Sequence, residues 1–224
     1  MVNRRTARFA SWSGILGIVI PSIGVVVYPI WWFPAASSSG EFVAHWVAAH
    51  HVQLQIMMVF YTVGVSLWLA FGAGVWSLLK NELEPTALEP VAFGAGLVAL
   101  IALLLAGFTA FDLLIYRPRP AADASMLYDL AFGLLAMSGM PTALCTGAFA
   151  MAIYRSEMLP RWTAHLALAT AVAHVLLLGT MITTTAPLGL EDFGITGVPA
   201  FLWAWILLVA LRLARAPKRQ PATE

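Results

Sequence analysis

The stretch "EFVAHWVAAHHVQLQIMMVFYT", residues 41–62, places one glutamate, three histidines and two glutamines at the head of a run that stays largely apolar to Leu79. A helix that crosses the hydrocarbon core of a bilayer needs about 20 predominantly apolar residues. Residues 50–79 exceed that length, so they read as a membrane span with a polar mouth. Residues 41–50 read as a wet loop leading into it. Whether the rest of the chain is built in the same way decides the fold. What the polar groups do at the mouth bears on function.

Composition answers the first question. Of 224 residues, 61% are hydrophobic and 10% charged, and the mean hydropathy is +0.84. Soluble domains carry about 25% charged residues. A surface this apolar requires lipid as its solvent. The net charge of +1 provides no basic face and excludes nucleic acid as a partner. The single cysteine, Cys145, lies in an apolar run, which excludes an internal disulfide and marks it as inert filler. The first apolar run is too long for a signal peptide and no small-residue cleavage site follows, so it reads as a retained span.

Six spans are predicted, at about 9–34, 50–79, 91–116, 128–154, 161–185 and 197–215, in one integral membrane domain covering 1–224. The breaks between them are rich in Pro, Gly, Ser or charge. With the N-terminus cytoplasmic, the inner side holds ten Lys and Arg residues and the outer side only Arg117 and Arg119. The positive-inside rule then puts both termini in the cytoplasm. Such a chain is a multi-pass protein of a bacterial plasma membrane. Trp31, Trp32 and Trp46 fall at the outer interface, and Trp12, Trp76 and Trp162 at the inner one. Gly139, Ala143 and Gly147 form a small-xxx-small row that lets a neighbouring helix approach. Pro21 and Pro141 lie inside spans and should kink them, and the backbone groups they free need partners.

The polar groups gather on the outer side. Along the second span, His51, Gln55, Met58, Thr62 and Ser66 recur at helical spacing and share a face. Glutamine facing lipid would be costly, so this face is expected to point into the bundle. There it acts either as hydrogen-bonding glue between helices or as a pocket lining. Asp112 sits about 6 Å below the outer end of an otherwise apolar span. An ionisable group there marks a functional site or a carboxylate paired with Arg117 or Arg119. As a proton donor Asp112 would need burial to keep it protonated, whereas an arginine partner would keep it ionised. His174 falls near the middle of the fifth span. It reads as a metal or haem ligand, a proton relay, or a neutral ring bonded to a carbonyl or hydroxyl.

Metal chemistry has weak support. Glu41 and His45 stand four apart, but His45 and His51 diverge around a helix, and no HExxH motif occurs. No metal or other cofactor is expected. Nucleophilic catalysis lacks a GxSxG element. "YRPRP", residues 116–120, is shared in part with lipid phosphatases, but their lysine arm and PSGH element are absent.

Three segments carry a resemblance: "RRTARFASWSGIL", "AIYRSEMLPRWTAHLALATAVAHVLLLG" and "GVPAFLWAWILLVALRL". Together they resemble the bacterial six-helix membrane proteins grouped as domain of unknown function 4386. The likeness rests on a basic start, an "S-x-x-LP-[RK]" hinge before the fifth span and a closing Trp-containing helix. It implies a six-helix fold and no particular activity.

The expectation is an all-α bundle of six membrane-spanning helices. It holds an outward-facing, partly polar pocket for a small lipophilic molecule between spans two, three and five. Gln55, Tyr116, His51 and Asp112 are the expected polar contacts, with Met58, Trp46, Trp68 and Phe108 as apolar wall and His174 nearby. Were the protein an enzyme, Asp112 and His51 would do the acid–base work of an isomerase or cyclase. The alternative is a non-catalytic subunit or assembly factor. It would contact lipid and either a second copy or a partner membrane subunit.

Overall fold

The computed structural model describes residues 4–35, 37–181 and 193–215. The regular structure there is helical: α1 (Arg4–Val27), α2 (Gly40–Glu82), α3 (Glu89–Tyr116), α4 (Ala121–Met137), α5 (Gly139–Tyr154), α6 (Trp162–Leu177) and α7 (Phe193–Ala214). Six of the segments they form are long and apolar enough to cross a membrane, α4 and α5 together making one of them. Helices suit lipid because they satisfy their own backbone.

Several boundaries differ from expectation. α2 starts at Gly40, ten residues early. Ser39 caps it, its Oγ accepting from the Phe42 N–H at 3.2 Å, with Glu41 in the first turn. The mouth that reads as a wet loop is therefore helix. It bends at His50 (φ −119°, ψ 15°), whose Nδ1–H donates to the Trp46 carbonyl at 2.9 Å. α4 likewise starts at Ala121 rather than 128. α6 ends in a 3-10 turn, Leu178–Met181, and residues 182–185 of the predicted fifth span lie outside the described residues.

The two interior prolines behave differently. Pro141 lacks the N–H that would bond Met137, and the fourth span breaks at Ser138, three residues before it. Pro21 instead sits inside an unbroken α1. The carbonyl it leaves unpaired, that of Gly17, takes the indole N–H of Trp68 from α2 at 2.8 Å. Gly64 makes room for this, since a Cβ there would collide with the Pro21 ring.

The spans form a closed ring in chain order. α1 packs on α2, α2 on α3, α3 on α5, α5 on α6, α6 on α7, and α7 returns to α1. α4 continues the fourth span against α3 and α2. At one end Glu89 at the start of α3 pairs with Arg155 at the end of α5. There too the Arg212 guanidinium lies 5.4 Å over the Trp162 ring. Trp12, Trp31, Trp32, Trp76 and Trp162 are exposed, but Trp46 is buried and does not join the interfacial belt. The small-residue row is only partly used. Gly139 abuts the His174 carbonyl, so a Cβ would collide with it, whereas Gly147 faces open space.

Candidate functional site

The core divides into two clusters. One, around Phe71, Phe93, Phe149 and Trp205, fills the end that carries Glu89 and Arg155. The other, around Tyr28, Trp46, Phe111 and Tyr128, fills the opposite end. Between them the ring holds a partly open cavity of about 260 Å³ with almost wholly apolar walls. All six spans contribute: Val25 from α1, Met57, Met58, Tyr61, Val65 and Trp68 from α2, and Leu100, Leu104 and Phe108 from α3. Ala131, Phe132 and Thr142 come from the fourth span, His174 from α6, and Leu202 and Trp203 from α7.

Aromatic rings roof the cavity. Phe33 and Phe111 stack at 5.5 Å, 7° from parallel, and both line it. Trp46 lies behind them, its ring 5.3 Å from Phe33, and donates its indole N–H to the Tyr28 Oη at 2.7 Å. Tyr128 Oη–H donates to the Pro34 carbonyl at 2.6 Å. Each polar tip in the roof is thus bonded, as burial requires.

Four of the expected site residues line the cavity: Met58, Trp68, Phe108 and His174. The others do not. Trp46 is one layer back, and His51 is half-buried at the mouth. Gln55, Asp112 and Tyr116 are exposed on the outside of the ring. The expectation that the polar stripe faces inward is thereby corrected. The buried edge of α2 runs through Leu54, Met57, Met58, Val65 and Trp68. One residue turns a helix by about 100°, so Gln55, next to Leu54, faces away. Ser66 on the outer side satisfies itself by donating to the Thr62 carbonyl at 2.7 Å.

Asp112 meets neither arginine proposed for it. Arg119 spends its guanidinium on the Leu113 carbonyl, at 2.8 and 3.0 Å, and caps α3. An ion pair does form between Glu89 and Arg155. Nor do His45, His50 and His51 gather: among the described residues no three His, Cys, Asp or Glu side chains converge as metal ligands.

His174 has the best-defined surroundings. It is 3% exposed, and its Nδ1–H donates to the Thr170 carbonyl at 2.8 Å. Thr170 Oγ1–H is shared between the Leu166 carbonyl at 2.9 Å and the Phe201 carbonyl of α7 at 3.2 Å. Ser138, which lines the cavity with His174, donates to the Leu135 carbonyl at 2.6 Å. Thr142 donates to the Ser138 carbonyl at 2.8 Å. Tyr61, Ser138 and Thr142 belong to the cavity and went unread in the sequence. Tyr61 was detectable, because Met58, Tyr61, Val65 and Trp68 follow helical spacing along the buried edge.

The chemistry available is that of an apolar pocket with few polar atoms, suited to a neutral apolar guest. Comparison of the chain with protein-family models, curated proteins and solved structures gives no match, so the family resemblance rests on its own three segments.

Proposed function

We propose that the protein is a multi-pass membrane protein that binds a small lipophilic molecule in the cavity between its six spans. The observation that carries this reading is the cavity itself. Close-packed interiors leave few voids larger than a water molecule, yet here every span gives up side-chain contacts to leave about 260 Å³ open. An apolar cavity of roughly 150 Å³ takes up benzene, so this one holds a guest of one or two rings or the head of a longer chain. Acid–base conversion by Asp112 and His51 draws no support from their positions, and binding is the activity put forward. Native mass spectrometry of the detergent-purified protein, with organic extraction, tests it. A stoichiometric lipophilic adduct that disappears in Leu104→Trp, which fills the cavity, supports the reading. An adduct unchanged by Leu104→Trp, or a protein that takes up no apolar probe, overturns it.

The Lys and Arg distribution orients the same reading, with both ends of the chain in the cytoplasm. A bacterial plasma membrane is the setting.

A second reading, docking to a partner membrane subunit or a second copy, is favoured by Gln55. Its amide sits exposed on α2 where lipid would lie, and a polar group there gains from a neighbouring helix. Co-purification of a stoichiometric membrane partner, lost in Gln55→Leu, is the result that supports it.

A further inference from the structure

The α5–α6 wall of the cavity presents hydrogen-bond acceptors and no donors. Ser138 and Thr142 have committed their hydroxyl hydrogens to carbonyls of their own chain segment, so they turn only lone pairs elsewhere. His174 has done the same with Nδ1–H, because the Thr170 carbonyl can only accept. No carboxylate lines the cavity to hold an imidazolium, so the ring is neutral and its Nε2 is an acceptor. Nε2 makes no hydrogen bond among the described residues. The sealed side-chain polar atoms that lack a partner there are Glu89 Oε2, Ser156 Oγ and Trp205 Nε1. Nε2 is not one of them, so it opens onto the cavity that the ring lines. An acceptor in an apolar site without a donor is costly. Tyr61 of α2 brings the lining's phenolic hydroxyl, but no hydrogen bond joins it to His174, so a guest hydroxyl can supply that donor.

We infer that the guest is a neutral lipophilic alcohol or phenol whose hydroxyl donates to His174 Nε2. The inference rests on the cavity-binding reading and narrows it. His174 thereby becomes the residue that sets specificity, while Met58, Trp68, Leu104 and Phe108 supply shape.

The test uses the full chain in detergent with two probes of nearly equal size, 2-naphthol and 2-methylnaphthalene. Affinities are read by displacement of a fluorescent apolar probe, with Leu104→Trp as the blocked cavity. One hydrogen bond in an apolar site is worth roughly tenfold in affinity. The expected result is that 2-naphthol binds roughly tenfold more tightly than 2-methylnaphthalene, and that the preference vanishes in His174→Leu. Wild-type protein carrying ¹⁵N-histidine gives an independent readout that needs no variant. The His174 Nε2 resonance should shift with 2-naphthol and stay in place with 2-methylnaphthalene. Equal binding of both probes, blocked by Leu104→Trp, overturns the hydroxyl inference and leaves the cavity reading standing. Binding of neither probe, or binding indifferent to Leu104→Trp, overturns both.

Discussion

The indole N–H of Trp68 donates to the carbonyl of Gly17 at 2.8 Å, the acceptor that Pro21, four residues on, has no N–H to fill. A side chain from one span thus completes the backbone ladder of another. The same ring also forms cavity wall, so one residue couples helix integrity to the site. Trp68→Phe should lower stability by about 1–3 kcal/mol, the cost of a buried acceptor left unmade. Pro21→Ala restores the helical N–H, and in that background Trp68→Phe should cost distinctly less. Unfolding in mixed detergent micelles on the four proteins of this cycle measures the coupling. Equal costs in both backgrounds would show that the bond carries no weight.

Gly139 packs α5 against the His174 carbonyl of α6. Backbone cannot yield as a flexible side chain does. Gly139→Ala should therefore destabilise by about 1–3 kcal/mol, as overpacking typically does. It should also weaken uptake of apolar probes by shifting the wall that carries His174. Gly147→Ala, where a Cβ meets nothing within 4 Å, should leave both within error.

Asp112 is exposed and forms no ion pair among the described residues. Asp112→Asn should change stability by no more than about 0.5 kcal/mol and leave probe affinity in the cavity unaltered. A large loss of binding in this variant would return the acid to the site.

Arg155 and Glu89 tie the end of α5 to the start of α3, and Glu89 Oε2 is sealed without a second partner. Removing the arginine alone leaves a carboxylate that backbone N–H groups at the start of α3 still hold. Arg155→Ala should therefore cost no more than about 1 kcal/mol, and the double variant Glu89→Gln with Arg155→Ala should cost more, because it also removes the negative charge from the start of α3. Thermal unfolding of the two variants ranks them.

Orientation is open to direct labelling, because the native Cys145 is buried and silent. A membrane-impermeant maleimide applied to intact cells should modify Asp123→Cys. It should reach Glu84→Cys only after permeabilisation. The reverse pattern would invert the proposed topology.

Much of the fold was legible because the signals were additive. Long apolar runs between Pro, Gly and charged breaks located the six spans, and a single misplaced residue could not alter that count. Pro141 announced the break at Ser138 through a missing N–H, a local fact. The site was less legible because it depends on helix phase, where an error of one residue swings a side chain by about 100°. Polarity pointed to the His51–Gln55–Ser66 edge, but the cavity lies on the edge that carries Met58, Tyr61 and Trp68. In a bilayer, apolar residues face both lipid and core, so hydrophobicity no longer tells inside from outside. Asp112 and Gln55 misled for the same reason: both are exposed. His174 was readable because a histidine within an apolar span must find a partner wherever it faces, although it stands in the last turn of α6 rather than at mid-span.

The ring order of the spans has a consequence for assembly. Every wall but one joins segments made one after another, so most of the barrel can zip up as the chain emerges. The exception is the seam where Gly14 of α1 meets Ala210 of α7. Until the last span arrives, the future cavity is an open trough facing the bilayer, floored by Trp68 and already holding His174. A guest drawn from the surrounding lipid could enter then without any gate. On the binding reading proposed above, closure of the seam would then hold that guest inside the ring.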